Sequence, residues 1–152
     1  LLLFLVAASN FFGAVFSRLG TPMLLTEFLL SWDISVTWVL LIIMALIFLL
    51  GWPLEWVPIV LIIVPILIPV LIKLDVNLVW FGILVAVNLQ TAWLSPPVAL
   101  SAYFLKGVVP EWDLKDIYLG MMQFMVIQVI GLVLIFVFPQ IALWLPTLIY
   151  GE

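Results

Sequence analysis

The chain has 152 residues, of which 68% are hydrophobic and 8% charged, and its formal net charge is −4. Soluble domains carry roughly 25% charged residues, so this composition excludes an ordinary water-exposed surface and indicates a chain largely covered by lipid. The absence of cysteine and histidine removes disulfides and the commonest metal ligand and general base, and the negative charge argues against a nucleic-acid partner.

The first segment, residues 1–35, is predicted to hold the end of a transmembrane helix and a short second helix. The apolar run Leu1–Phe16 opens without Met, a basic region or a cleavage site, which is typical of a piece of a larger protein and not of a signal peptide. Thr21 is the expected N-cap and Pro22 the first residue of the second helix. Met23–Leu30 is too short to cross a bilayer, so we expect it to lie along the interface or to pack sideways on other helices.

Residues 36–72 predict a re-entrant helical hairpin. This apolar stretch is longer than the roughly 20 residues that one span needs, and Gly51-Trp52-Pro53-Leu54-Glu55-Trp56 interrupts its middle. The flanks Val36–Leu50 and Val57–Leu71 each reach only about 22 Å, so the chain is expected to enter to about mid-bilayer, turn, and return to Lys73. Such a turn must be buried in protein or line a cavity.

A discontinuous helix is predicted over residues 78–105. Its interruption is Leu94-Ser95-Pro96-Pro97, where two prolines remove two backbone donors and keep Ser95 out of the helical region. We expect one half to end near Trp93 and the other to begin at about Pro97.

Residues 106–152 are predicted to form a polar loop, Lys106–Lys115, and a final transmembrane helix, Leu119–Phe138. Asp113 is the expected N-cap of this region, and Pro139 should kink or end the helix.

The hairpin tip is the first candidate site, with Gly51 and Glu55 as its residues. An ionisable group near the bilayer centre costs on the order of 3 kcal/mol, so Glu55 is predicted to bind a cation or to take up a proton. The alternative is a tip nearer the interface, where Glu55 caps the second half-helix.

The second candidate site is the polar face that runs into the helix break. Asn88, Thr91 and Ser95 follow the spacing i, i+3, i+7 and therefore share one helical face, which leads into Pro96 and Pro97. Carbonyl groups ending the first half are suited to Na⁺, and N–H groups starting the second half to an anion. The alternative is hydrogen bonding between helices.

Two further sets of polar residues stand apart from the breaks. Asn10, Gly13 and Ser17 have the spacing of close helix packing, and the neighbouring Arg18 either reaches the interface or meets an anionic substrate. Gln123 and Gln128 are predicted to hydrogen-bond between helices. No nucleophile–base pair, phosphate loop or metal cluster is visible, so an enzyme is not expected.

Two apolar stretches broken at their middles are typical of secondary transporters, and the residues that carry the breaks resemble a known family. The sequence is similar to the C-terminal part of the large membrane subunit of tripartite ATP-independent periplasmic (TRAP) transporters. The resemblance extends over essentially the whole chain and is carried by Gly51-Trp52-Pro53-Leu54-Glu55, Pro65-Ile66-Leu67-Ile68-Pro69, Phe81-Gly82-Ile83-Leu84-Val85-Ala86-Val87-Asn88-Leu89, Leu94-Ser95-Pro96-Pro97-Val98, Phe138-Pro139 and Leu145-Pro146.

This chain departs from the family pattern at both breaks. The family often has Asp at the hairpin tip, where this chain has Glu55, and Gly and Thr before the prolines, where it has Ala92 and Ser95. After Val98 the family often has Gly, and this chain has Ala99.

The resemblance implies an all-α polytopic membrane protein with an ion-transporter-like fold, of which this chain is the C-terminal half of an inverted repeat. Segment 1–35 would be scaffold, residues 36–105 half of the moving domain (hairpin 36–72, broken helix 78–105), and 106–152 the loop and last helix. It further implies Na⁺-coupled uptake of organic acids, such as C4-dicarboxylates, across the bacterial inner membrane, with no cofactor beyond the coupling ion. The expected partners are a small membrane subunit, a periplasmic substrate-binding protein, the organic-anion substrate and the lipid bilayer.

Two alternatives remain open on the sequence alone. One is an ion-coupled carrier of another family with the same hairpin architecture. The other is a structural subunit of a membrane complex with no site of its own.

Overall fold

A computed structural model describes residues 2–32, 34–54, 56–95 and 99–151, without the side chains of Leu2 and Leu30. Every regular element within these ranges is helical, which confirms the all-α class. We number the helices α1 (Leu2–Arg18), α2 (Thr21–Leu30), α3 (Val36–Gly51), α4 (Trp56–Lys73), α5 (Leu78–Trp93), α6 (Leu100–Val108), α7 (Leu114–Val137) and α8 (Gln140–Tyr150).

The two arms of a hairpin, α3 and α4, are separated by a short turn of which Trp52–Leu54 are described. α3 has 16 residues, close to the predicted first flank. α4 has 18 residues with a mean hydropathy of 2.5 and is long and apolar enough to cross a membrane. The expectation that neither arm reaches the length of a span is therefore wrong for α4, and the re-entrant course stays a prediction.

A change of helical register lets α4 run through its prolines. Ile59–Ile63 form a π-helical turn, after which the N–H of Val64 donates to the carbonyl of Ile59. Pro65 follows directly and has no N–H to donate, so the widened turn lies where one α-helical hydrogen bond is lost in any case. The helix then continues through Pro69. α4 exceeds the predicted flank Val57–Leu71, which already included these prolines, by Trp56 at its start and by Ile72 and Lys73 at its end.

The open ends of the hairpin lie together. Val36 and Thr37 at the start of α3, and residues 75–77 after α4, line one cavity of about 550 Å³. Trp80 of α5 and Pro139 after α7 line it as well. We call this end of the molecule the hairpin base.

α5 starts at the hairpin base on a side-chain cap. The Oδ1 atom of Asn77 accepts from the N–H groups of Val79 at 2.9 Å and Trp80 at 3.0 Å. After Leu89 the helix tightens into a 3₁₀ turn that ends at Trp93, which confirms the predicted end of the first half. The predicted start of the second half, at about Pro97, lies outside the described residues.

α7 is the longest of the described helices, and α5 and α6 pack along different parts of it. Its 24 residues extend about 36 Å. Near its start Met121 packs with Ala99 and Ala102, and near its end the carbonyl of Ile135 accepts from Trp80 Nε1 at 2.9 Å. α5 and α6 therefore pass α7 in succession, and the break between them lies beside its middle part.

The predicted N-cap of this last long helix is confirmed, but its start is not. The carboxylate of Asp113 accepts from the N–H of Lys115 at 3.3 Å. The helix begins at Leu114 instead of the predicted Leu119, because a cap fixes the first turn whether or not that turn is apolar.

α1 and α2 form a pair bent by 65° that packs on α4. Gly20, with φ 75°, is the N-cap of α2, and Thr21 is its first helical residue. The predicted cap at Thr21 is therefore wrong by one residue, because glycine adopts this left-handed conformation without steric cost. α2 packs sideways along α4 with Thr26 only 1% exposed, which agrees with the packing alternative.

The hydrophobic core lies between α3, α4 and α5. Its fully buried side chains are Val39, Ile43, Ile47, Ile59, Val70, Leu71 and Leu84. Most large side chains on the outer face of α7 are exposed, for example Phe124 at 66% and Ile127 at 64%. An apolar face of this kind is suited to lipid or to further transmembrane helices.

Candidate functional site

The two interruptions predicted from the sequence meet in the structure. Gly51 ends the first hairpin arm, and a Cβ added to it would lie 3.3 Å from the Cβ of Ala92. Ala92 belongs to the 3₁₀ turn that ends the first half of the broken helix. Only a glycine lets these two backbones approach so closely without displacing a neighbour. The hairpin tip is thus held against the helix break.

Asn88 lies about one helical turn before Ala92, on the face of α5 that packs on α3. Its side chain is fully buried, and Nδ2 donates to the carbonyl of Met44 in α3 at 2.8 Å. Its Oδ1 is a buried acceptor with no hydrogen-bond partner among the described residues. A buried polar atom without a partner costs about 1–3 kcal/mol, so this oxygen is suited to accept from a donor or to bind a cation.

Thr91 and Ser95 continue the face that starts at Asn88. Thr91 Oγ1 donates to the carbonyl of Asn88 at 2.7 Å, and Ser95 Oγ donates to the carbonyl of Thr91 at 2.5 Å. Both side chains are at most 1% exposed. Because each hydroxyl directs its proton at the backbone, its oxygen lone pairs remain available as acceptors. The predicted polar face is therefore brought together as a row of buried oxygen atoms.

The break lies beside the centre of α7. Ser95 Oγ is 3.7 Å from the sulfur of Met125, and Met125 lies about midway between Leu114 and Val137 at the ends of that helix. The polar row thus reaches the break at a level roughly 16–18 Å from either end of α7.

A cleft of about 590 Å³ opens beside the break. The second hairpin arm, both halves of the broken helix and α7 all contribute to it. It is lined by Trp56, Val60, Ala86, Leu89, Gln90, Trp93, Leu94, Ser101 and Gln128.

Two amide side chains bridge α7 and α5 in this cleft. Gln128 Nε2 donates to Gln90 Oε1 at 2.7 Å and to the carbonyl of Val87 at 3.1 Å. The bond to Val87 lies where α5 changes from α-helical to 3₁₀ geometry. The predicted interhelical role of Gln128 is confirmed.

The cleft face of α5 is not among the sites predicted from the sequence. Ala86, Gln90 and Trp93 follow the spacing i, i+4, i+7 and so share a second face, distinct from that of Asn88. A polar Gln90 on an otherwise apolar face was the available signal.

Several predicted site residues lie outside the described part of the chain: Glu55, Pro96 and Pro97. The neighbouring Ala99 has φ 23°, a conformation that favours glycine. This is the position where the family pattern often has Gly, so the backbone geometry agrees with the pattern although the residue differs.

Arg18 is not brought to the break. It lies exposed in the last turn of α1, and α1 packs on α2 and α4. The close packing expected beside it is not formed among the described residues, since a Cβ on Gly13 would meet nothing within 4 Å. A substrate contact for Arg18 stays a prediction.

Among the described residues, the lining of the cleft is neutral. None of its lining residues is ionisable, and the chain's basic residues, Arg18, Lys73, Lys106 and Lys115, all lie elsewhere. Within the described ranges no group of three His, Cys, Asp or Glu side chains is placed to hold a metal ion. Any ion here would be bound by neutral oxygen atoms or by groups outside the described residues.

The sequence matches one family model over residues 1–141: "Tripartite ATP-independent periplasmic transporter, DctM component". A C4-dicarboxylate TRAP transporter large permease protein from Rhodobacter capsulatus is 30% identical over 149 residues, covering 98% of this chain and 34% of that protein.

Other relatives carry different substrate names. A sialic acid TRAP transporter permease protein from Haemophilus influenzae is 26% identical over 95% of this chain and 23% of that protein. An isethionate TRAP transporter permease protein from Oleidesulfovibrio alaskensis is 26% identical over 68% of this chain and 16% of that protein. The chain spans about a third or less of the length of these relatives.

Proposed function

The chain belongs to the DctM-component family of tripartite ATP-independent periplasmic transporters, and on that premise we propose that it is the C-terminal part of a Na⁺-coupled importer of organic acids. The observation that carries this proposal is the contact between the two interruptions, with Gly51 against Ala92 and an unpartnered buried oxygen on Asn88 beside them. Because the chain belongs to this family, the alternative that it is a carrier of another family no longer applies.

The hairpin formed by α3 and α4 is re-entrant in this proposal. Two observations support it: its open ends share a cavity with Pro139 at the end of α7, and its tip contacts the break, which lies beside Met125 near the middle of α7. If α7 crosses the bilayer, the tip reaches only about halfway. The hairpin and the broken helix then form half of the moving domain, residues 36–105, and the remainder braces it.

Na⁺ is proposed to bind at the polar row. The Oδ1 atom of Asn88 lacks a partner, and the hydroxyls of Thr91 and Ser95 donate to backbone carbonyls, so their lone pairs are available. Neutral oxygens are suitable ligands for a hard monovalent cation, and unwound helix ends supply them at the midplane of many carriers. Glu55, predicted at the tip, would add a negative charge.

The carboxylate of the substrate is proposed to bind at the start of α6. This helix has nine residues, and its N-terminal end carries the positive end of a helix dipole, about half an elementary charge. Ser101, its second residue, lines the cleft. The substrate is therefore expected to lie across the cleft, beside the Na⁺ site.

The whole transporter is proposed to work with a small membrane subunit and a periplasmic substrate-binding protein in the bacterial inner membrane. The loop 106–115 would face the cytoplasm and the hairpin base the periplasm. Transport, with no chemical change of the substrate, would follow movement of the hairpin and broken helix relative to the rest.

Uptake into proteoliposomes tests this proposal. The full-length carrier and its small subunit should take up radiolabelled organic acids only with both an inward Na⁺ gradient and the cognate binding protein. Uptake that persists in K⁺ without Na⁺ would overturn the coupling, and uptake that ignores the binding protein would overturn the tripartite assignment. Absence of uptake for every acid, with an intact complex, would favour the structural-subunit alternative.

A further inference from the structure

The cleft beside the break has features that narrow the class of substrate. Its volume of about 590 Å³ is several times that of a four-carbon acid, and it begins at Ser101, where the substrate carboxylate is proposed to bind. In the proposed site, the rest of the substrate lies in the remainder of the cleft and contacts the residues that line it.

This chain supplies no positive side chain to that remainder. All of its basic residues lie outside the lining. A second carboxylate in the cleft would gain no ionic partner from this chain in return for the hydration that it gives up on binding, which is unfavourable. The lining thus disfavours a second charge on the substrate.

The polar groups that the cleft does supply are neutral. Gln90 Oε1 accepts from Gln128 Nε2, while Gln90 Nε2 and Gln128 Oε1 make no hydrogen bond to any described residue. One amide donor and one amide acceptor are thus available at the same place. This combination suits a hydroxyl or amide group, which both donates and accepts.

Two indole rings complete the lining. Trp56 and Trp93 are exposed by 40% and 38%, and both line the cleft. Flat aromatic surfaces pack well against the carbon skeleton of a cyclic or polyhydroxylated molecule. Small diacids offer little surface for such contact.

We propose that this cleft receives the uncharged, hydroxyl- or amide-bearing body of a monocarboxylate, with Gln90 and Gln128 as specificity-determining residues. This inference rests on the proposed transport function and deepens it, because it selects bulky hydroxylated monocarboxylates over C4-dicarboxylates. The carboxylate lies at the start of α6 and the body extends toward Trp56.

Thermal stabilisation of the purified membrane complex in Na⁺, without binding protein, tests this inference. The probes are the monocarboxylates gluconate, glucuronate and sialic acid, and the dicarboxylates succinate, malate and fumarate. At least one monocarboxylate should stabilise the complex at concentrations about tenfold lower than any dicarboxylate. Gln90→Leu and Gln128→Leu should each weaken that effect by about three- to tenfold, the loss of one or two hydrogen bonds.

Gln123→Leu is the matched control, since Gln123 is an exposed amide on α7 outside the cleft lining, and it should leave the effect unchanged. Gln90→Leu guards against a folding artefact, because Gln90 bonds only to Gln128 whereas Gln128 also supports the backbone of α5. Preferential stabilisation by a dicarboxylate, or equal effects in all variants, would overturn this inference and leave the proposed function standing. No stabilisation by any acid, together with no uptake in the proteoliposome assay, would overturn both.

Discussion

At the scale of single residues, the side-chain amide of Asn88 has a hydrogen-bond partner for its nitrogen but none for its oxygen among the described residues. Nδ2 is fixed by the carbonyl of Met44 at 2.8 Å, which orients the side chain, while Oδ1 is buried without a partner. Because one end of the amide is held in place, its free oxygen has a fixed orientation, as an oxygen that coordinates an ion needs. Replacing Asn88 with an apolar residue of similar size removes the unpartnered oxygen as well as the bond to Met44, and because these two effects oppose each other the stability of the protein should change little.

Asn88→Leu is therefore expected to separate ion coupling from stability. The Na⁺ concentration for half-maximal uptake should rise at least about tenfold, a loss of roughly 1.4 kcal/mol of ion binding, while the melting temperature changes little. Asn10→Leu is the control, because Asn10 is exposed on α1. An unchanged Na⁺ dependence in Asn88→Leu would show that this oxygen is not an ion ligand.

Part of the site was predictable from residue spacing. Asn88, Thr91 and Ser95 share a face in any helix, and the structure does bring them together as a buried row. Which end of Asn88 finds a partner depends on how α3 packs against α5, and that packing has no local signature. Gln90 was missed because its partner, Gln128, lies 38 residues away on α7.

At the scale of elements, the indole N–H of Trp80 replaces a helical hydrogen-bond donor that Pro139 lacks. Pro139 has no N–H, so the carbonyl of Ile135, four residues earlier, lacks its helical donor. Trp80 Nε1 donates to that carbonyl at 2.9 Å and its ring packs on Phe136, with centroids 5.7 Å apart. The start of α5 is thus fastened to the end of α7 at the hairpin base.

A double-mutant cycle tests this compensation. Trp80→Phe should lower the melting temperature by about 2–4 °C, the effect of roughly 1 kcal/mol in a domain of this size. Pro139→Ala restores a backbone donor for Ile135, so the loss of the indole N–H should matter less in that background. Equal losses in both backgrounds would show that the hydrogen bond to Ile135 contributes nothing and that Trp80 acts by packing alone.

The positions of the breaks were predictable because proline, glycine and capping residues act locally. Trp93 and Asp113 marked element ends correctly, and the tip followed Gly51 as expected. The π-helical turn inside α4 was not predictable in the same way. This turn, at Ile59–Ile63, absorbs a proline that local rules treat as disruptive, and α1 and α3 pack against it.

At the scale of the whole molecule, the arrangement depends on contacts that no local rule supplies. The hairpin base, the start of α5 and the end of α7 share one cavity, whereas the hairpin tip lies against the break beside the middle of α7. In the proposed carrier, a site at this depth would be reached from opposite faces as the surrounding elements move, as alternating access requires. We therefore propose that the tip and the break stay in contact and move together.

A disulfide between Gly51→Cys and Ala92→Cys tests that claim most directly. The chain has no cysteine, and the Cβ separation of 3.3 Å is close to the roughly 3.5–4.5 Å that a disulfide needs. Gly82→Cys with Ala92→Cys is the control, because these positions are about 15 Å apart along α5.

In a full-length carrier otherwise free of cysteine, oxidation should cross-link the first pair and not the control. Because the tip and the break belong to the same moving unit, the cross-linked carrier should keep its Na⁺-driven uptake. Failure of Gly51→Cys and Ala92→Cys to cross-link, or a loss of uptake on oxidation that reduction of the disulfide restores, would contradict this arrangement.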